Sequence, residues 1–278
     1  MKQQRFTVLG AGGFIGSRLL AHLREQGHEC AGVVRGGELP PRRALGHAFY
    51  CVGVTADFRS RPLETVRANV CALADVLEKG DFESLLYLSS TRIYGGAAGT
   101  HEDQPLTVNP AESEDFYNLT KLTGEALSLA SGRHGVRVVR LSNVYGGDFS
   151  SDNFLPSVIR DAVTARHVEL RSALDSEKDY VSIADVVGLL PQIAIRGRRL
   201  VYNLASGANT TNREILEALS RATGCSYAAR AEAPTLRFPV IDVSRLREEF
   251  QFAPQPLPAR LPALVAAFKQ ALHDQDRS

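Results

Sequence analysis

A doubly wound parallel α/β sheet followed by a smaller C-terminal lobe is the fold class that these 278 residues predict. Three observations carry that expectation. A glycine-rich turn, Gly10-Ala11-Gly12-Gly13-Phe14-Ile15-Gly16, comes directly after the apolar run Phe6 to Leu9. Further short apolar runs alternate with segments of helical spacing, the pattern of strands joined by crossover helices. Beyond residue 205 the pattern loosens and prolines gather at 234, 239, 254, 256, 258 and 262.

Taken in order, Phe6 to Leu9 reads as a buried strand. Phe14 to Gln26 reads as a helix that stops at Gly27, where a C-cap is expected. Cys30 to Val34 is a second strand, and Ala48 to Val54 and Leu85 to Leu88 are two more, with a helical pattern from Leu63 to Leu77 between them. A helix from Phe116 to Gly132 precedes a strand from Val136 to Leu141. A last helix–strand pair falls at Ile183 to Ile195 and Leu200 to Leu204. Residues 1–145 and 183–205 are therefore assigned to the sheet domain, and 146–182 with 206–278 to the smaller, substrate-covering lobe.

Composition excludes several classes. With 32 basic and 31 acidic side chains the formal charge is +1, so no overall field attracts nucleic acid or an anionic membrane. Cys30, Cys51, Cys71 and Cys225 have no Cys-x-x-Cys spacing, which argues against a metal site and for buried, reduced thiols. Lys2 and Arg5 precede an apolar stretch, but glycines break it long before the roughly 18 residues a membrane span needs. A cytoplasmic location is expected.

Two local patterns carry chemistry. A strand–turn–helix start aims free backbone N–H groups and the positive end of a helix at a phosphate, so Gly10, Gly13, Phe14, Ile15 and Gly16 form a candidate pyrophosphate cradle. In Tyr117-Asn118-Leu119-Thr120-Lys121 the tyrosine and lysine are four apart and share a helix face. There an ammonium could favour deprotonation of the phenol by charge. With eight tyrosines and five lysines in 278 residues, that offset is rare by chance.

The glycine turn, Ser89-Ser90-Thr91-Arg92-Ile93-Tyr94-Gly95, Tyr117-x-x-x-Lys121 and Arg140-Leu141-Ser142-Asn143-Val144-Tyr145-Gly146 follow one another in the order seen in the extended short-chain dehydrogenase/reductase family. The chain resembles that family from about residue 5 to about residue 250. The resemblance implies a Rossmann-type sheet. It implies Tyr117 as general acid/base, Ser90 as hydrogen-bond partner of the same substrate oxygen, Lys121 on the nicotinamide ribose, and Asn69 in a bridging role. A surface asparagine is the rival reading of Asn69. Family dehydratases and decarboxylases carry carboxylates after the serine, and some epimerase-reductases a cysteine. Thr91 and Arg92 stand there instead, leaving simple oxidoreduction or 4-epimerisation.

Arg35, at the end of the second strand where NAD-binding members place an aspartate, favours NADP(H) by pairing with a 2′-phosphate; NAD(H) is the alternative. From Gly36 to Gly46, including Pro40 and Pro41, there is room for neither the usual further strand nor its helices, so the adenine side must be shallower or rebuilt. For a nucleotide-sugar substrate the resemblance points to Asn143, Asn153, Lys178 and, from the C-terminal lobe, Arg237. A homodimer built on helices 62–79 and 116–132 is also implied. The leading expectation is a 4-keto nucleotide-sugar reductase. A nucleotide-sugar 4-epimerase, a reductase of a non-sugar carbonyl and a catalytically idle cofactor-binding regulator are the alternatives.

Overall fold

The computed structural model describes residues 3–34, 37, 44–55 and 57–275. In chain order the elements begin with β1 (Arg5–Leu9), α1 (Phe14–Glu25), β2 (Glu29–Val33), β3 (His47–Tyr50), α2 (Pro62–Val66) and α3 (Ala72–Lys79). Next come β4 (Ser84–Ser90), α4 (Ser113–Ala130), β5 (Val136–Leu141), β6 (Asn143–Tyr145), α5 (Phe154–Thr164), β7 (His167–Leu170) and β8 (Glu177–Ser182). The chain finishes with α6 (Ile183–Arg196), β9 (Val201–Leu204), β10 (Asn209–Thr211), α7 (Asn212–Thr223), β11 (Ser226–Ala229), α8 (Ser244–Phe250) and α9 (Leu257–Gln275).

One compact unit comprises Met1–Ser142, Ile183–Leu204 and Val243–Phe252. Its sheet has the order β2-β1-β3-β4-β5-β9, and every pairing is parallel. The inner strands are almost continuously apolar because they cross a sheet buried on both faces: Phe6, Val8, Phe49, Leu85, Leu86, Val138 and Val139 are all fully buried, while the edge strand β2 is largely exposed. The parallel register brings the C-terminal ends of β1, β3 and β4 side by side, with Leu9 opposite Tyr50 and Tyr50 opposite Tyr87. In doubly wound sheets that edge is where ligands bind. Among the described residues neither strand nor helix lies between β2 and β3.

Residues 243–252, expected in the smaller lobe, belong to this first unit. The reason is tertiary. Arg245 donates to the Val201 carbonyl at 3.1 Å and lies 3.3 Å from the buried Glu102 carboxylate, while Tyr202 donates to Glu249 at 2.8 Å.

The second unit comprises Asn143–Ser182, Ala205–Asp242 and Ala253–Ser278. It holds a three-stranded sheet, β10-β8-β6, and a parallel pair, β11-β7. Its core gathers Ile159 of α5, Ile215, Leu216 and Leu219 of α7, and Leu257 and Leu261 of α9. Helix α7 starts on a reciprocal Thr211–Glu214 capping box and ends at Gly224 in the left-handed region. No helix among the described residues is long and apolar enough to cross a membrane.

Candidate active site

The glycine turn follows β1 and is shaped by close backbone approach. Gly10 has φ +86°, and a Cβ there would also stand 2.8 Å from the Cys51 carbonyl carbon. A Cβ at Gly16 would overlap the Gly10 carbonyl oxygen, so α1 can start this close to the strand only with glycine at that point. Gly13 donates its N–H to that same oxygen at 3.0 Å and forms the N-cap of α1 with no side-chain capping bond. Among the described residues no side chain caps the first-turn amides near Phe14, Ile15 and Gly16. Arg35 lies outside the described residues, as do Gly36, Pro40 and Pro41.

Helix α4 places Tyr117 and Lys121 on one buried face. The Tyr117 hydroxyl lies near the Ser90 and Thr55 side chains, and its ring packs against Phe58 with centroids 5.3 Å apart. Ser90 ends β4 and is held there by the Arg92 amide, which donates to its Oγ at 3.3 Å. Lys121 is buried and donates from Nζ to the Leu88 carbonyl at 3.0 Å. Burial pushes its pKa down to about 8, against the opposing charges of Glu125 and Cys51.

The electrostatics depart from expectation in one respect. Tyr117 is not depressed; burial pushes its pKa up to about 12. The charge that works against this rise is that of Arg92, followed by the Ser90 and Thr55 side chains. Lys121 Nζ is 5.9 Å from the phenol ring centroid and donates to a main-chain carbonyl.

The helix expected over Leu63 to Leu77 is interrupted. Between α2 and α3, Arg67–Cys71 forms one π turn, and Asn69 sits in it, fully buried rather than on the surface. The wider turn leaves carbonyls available, and tyrosines take them: Tyr50 donates to Ala68 at 2.5 Å and Tyr87 to Asn69 at 3.4 Å. Asn69 Nδ2 donates to Thr120 Oγ1 at 2.9 Å, and Thr120 donates to the Tyr117 carbonyl at 2.8 Å. Asn69 Oδ1 is buried and has no hydrogen-bond partner among the described residues. A Cβ on Gly53 would stand 3.2 Å from that oxygen and 3.4 Å from Lys121 Nζ.

Gly53, Thr55, Phe58 and Arg92 are members of this cluster that the sequence patterns did not single out as site residues. Arg92 alone left a trace, as a cation where a dehydratase or decarboxylase was expected to carry a carboxylate. Its guanidinium lies 5.4 Å from the Tyr117 ring centroid and 5.5 Å from that of Phe58, and it donates to Glu114 at 3.0 Å.

In the second unit, Asn143, Lys178 and Arg237 lie along β8. Asn143 pairs opposite Tyr180 and donates to the Asp179 carbonyl at 2.8 Å. Lys178 Nζ stands 5.2 Å from the Phe238 ring centroid, and Arg237 forms a parallel bridge with Glu177. Asn153 is apart from them, exposed at the N-cap of α5. Asp179 holds the 206–208 turn, accepting from the amides of Ser206, Gly207 and Ala208 and from Ser206 Oγ.

The sequence profile described as "NAD dependent epimerase/dehydratase family" matches residues 6–62 and 47–205, a span that holds the glycine turn, Ser90, Tyr117 and Lys121. The chain belongs to the NAD dependent epimerase/dehydratase family. It is 29% identical over 203 residues to a dTDP-glucose 4,6-dehydratase of Streptomyces griseus, covering 68% of this chain and 60% of that protein. It is 26% identical over 249 residues to a GDP-6-deoxy-D-mannose reductase of Pseudomonas aeruginosa, 78% of this chain and 79% of that one. Among solved structures it is similar to MoeE5 in complex with UDP-glucose and NAD, at 25% identity and a TM-score of 0.79, with 96% of this chain and 99% of that chain covered. The curated relatives are dehydratases and reductases, the chain spans about 60% of the length of the first of them, and the family is named for a nicotinamide dinucleotide.

The residues of the first unit fit such a dinucleotide. The uncapped start of α1 presents amides for a pyrophosphate. The space that a Cβ on Gly53 would fill is bounded by a buried acceptor, Asn69 Oδ1, and a buried donor, Lys121 Nζ, which suit a ribose with adjacent hydroxyls.

Proposed function

We propose that this enzyme is an NADP(H)-dependent ketoreductase acting at the 4-position of a nucleotide-linked hexose. The observation that carries the reading is the buried Tyr117 of α4, set beside Ser90 at the end of β4. In the free enzyme this phenol keeps its proton at neutral pH and can donate it to the oxygen of a ketone being reduced. Ser90 and Tyr117 would together hold the substrate carbonyl oxygen, and Tyr117 would deliver its proton there. The bound dinucleotide supplies the hydride. Lys121 and Asn69 would orient the ribose, and the turn from Gly10 to Gly16 would hold the pyrophosphate. Asn143, Asn153, Lys178 and Arg237 are the proposed contacts to the nucleotide diphosphate. Preference for NADP(H) over NAD(H) rests on the charge of Arg35.

Thr91 and Arg92 support reduction over dehydration, since neither can take a proton from carbon as a carboxylate does. The same Ser90–Tyr117 pair would equally serve a 4-epimerase, which returns its hydride and consumes no coenzyme. We further propose a homodimer through the 62–79 and 116–132 segments, on which Leu63 and Leu129 are exposed.

Purified protein supplied with NADPH and a 4-keto nucleotide sugar is expected to consume the reduced coenzyme. Tyr117→Phe is expected to lower the rate about 10²- to 10⁴-fold while coenzyme binding, read by fluorescence, is retained. No loss of nicotinamide absorbance, or full activity in Tyr117→Phe, would overturn the reading. Interconversion of two 4-epimers without coenzyme loss would assign the epimerase instead.

A further inference from the structure

We propose that Arg92 selects substrates whose sugar ring carries a carboxylate, as in a nucleotide-linked hexuronate. The inference rests on the nucleotide-sugar reading above and narrows it. Arg92 is two residues beyond Ser90, and its own amide is bonded to the Ser90 hydroxyl. Its guanidinium faces the ring of Tyr117 at 5.4 Å. A ketone oxygen held between Ser90 and Tyr117 therefore places the substituents of the neighbouring ring carbons within the reach of Arg92. At that range a planar guanidinium matches a carboxylate in a two-pronged hydrogen-bonded pair.

The charge around Arg92 leaves room for such a partner. Glu114 is shared by two guanidiniums: Arg59 binds one carboxylate oxygen, with Nε at 2.7 Å, and Arg92 the other at 3.0 Å. Arg59 also covers the Phe58 ring at 4.4 Å, so it stays fixed if Arg92 swings away. Arg92 can thus exchange Glu114 for a substrate carboxylate without leaving Glu114 unpaired, and the trio carries one positive charge more than it balances. The Arg92 side chain is 38% exposed, open to an incoming group, whereas the phenol beside it is buried.

Equilibrium binding of two matched pairs tests this: UDP-glucuronate against UDP-glucose, and GDP-mannuronate against GDP-mannose. Within a pair the nucleotide and diphosphate are the same, so the ratio of dissociation constants isolates the carboxylate. The wild-type enzyme is expected to favour the acid about tenfold or more in whichever pair it binds. In Arg92→Gln the ratio is expected to fall to within about twofold, and Arg92→Lys, a point charge without the fork, to lie between. Circular dichroism of each variant checks the fold. Equal affinity for acid and neutral sugar in the wild type, or an undiminished preference in Arg92→Gln, overturns this inference alone. Failure to bind any of the four overturns the nucleotide-sugar reading and the inference with it.

Discussion

Lys121 and Arg140 are both buried cations in the first unit, and the chain treats them in opposite ways. Arg140 is saturated. Its Nε and Nη2 meet both oxygens of Glu125 at 2.7–3.2 Å, and its Nη1 donates to the Tyr94 hydroxyl at 2.6 Å and the Glu102 carbonyl at 3.0 Å. The network continues, with Tyr94 donating to Asn203 and Asn203 to the Thr100 carbonyl. These partners outweigh burial and hold the guanidinium above its ordinary pKa. Lys121 donates to one neutral carbonyl, and burial outweighs both that bond and the more distant charge of Glu125. Its neighbourhood also contains an amide oxygen, on Asn69, that has no partner among the described residues. A cation whose needs are met inside the protein belongs to the architecture; one kept short of partners is held ready for something that arrives.

The largest test breaks the satisfied site. Glu125→Ala strands the Arg140 charge in the interior and is expected to cost about 3–5 kcal/mol in urea unfolding. Replacing both members, Glu125→Ala with Arg140→Met, is expected to recover part of that loss. A single variant as stable as the wild type would remove the contrast.

The poised site is expected to respond the other way. Lys121→Met should raise the stability of the coenzyme-free enzyme by about 1–3 kcal/mol at neutral pH, while turnover is lost. The sign follows from the pKa near 8, below that of an unfolded lysine. Above pH 8 the unfolded chain holds a proton that the folded chain has shed, so wild-type stability rises with pH and the lead of the variant narrows. Thermal melts of both proteins at neutral pH and near pH 9.5 measure it, and parallel curves would count against a strained lysine.

The smallest effect on folding is expected from Gly53→Ala. The added methyl would sit 3.2 Å from Asn69 Oδ1 and 3.4 Å from Lys121 Nζ, close enough to need only a slight shift. Stability should change by less than about 1 kcal/mol. Dinucleotide affinity should fall about tenfold if the methyl enters the space proposed above for the ribose. Unchanged affinity by titration would show that the space serves packing alone.

Much of this was legible in the residues, and the physics explains which parts. The alternation around Phe6 to Leu9, the Gly10–Gly16 turn and the helical spacing of Tyr117 and Lys121 are local patterns, and the structure has these elements within a few residues of the expected bounds. Burial of Asn69 was not readable, since a π turn has almost the same apolar spacing as an α-helix over so short a length. The Glu125–Arg140 pair joins residues 15 apart across a helix and a strand, and no helical offset reports it. The helix at 244–250 attaches to the first unit through Glu249 and Arg245, contacts with partners more than 40 residues away. Arg92 was noticed only for the chemistry it cannot do, because its bearing on Tyr117 comes from the fold of the turn after β4.

The π turn at Arg67–Cys71 has a consequence for how such an enzyme can change. A π turn is an α-helix with one residue too many, and each residue turns the helix by about 100°. Removing a single codon there would restore regular winding, swing the amide of Asn69 away from Thr120, and rotate everything upstream of it relative to α3. One duplicated codon is likewise enough to create such a kink in an unbroken ancestor. The buried amide proposed to orient the ribose therefore lies one insertion away from an ordinary helix, and one deletion away from being lost.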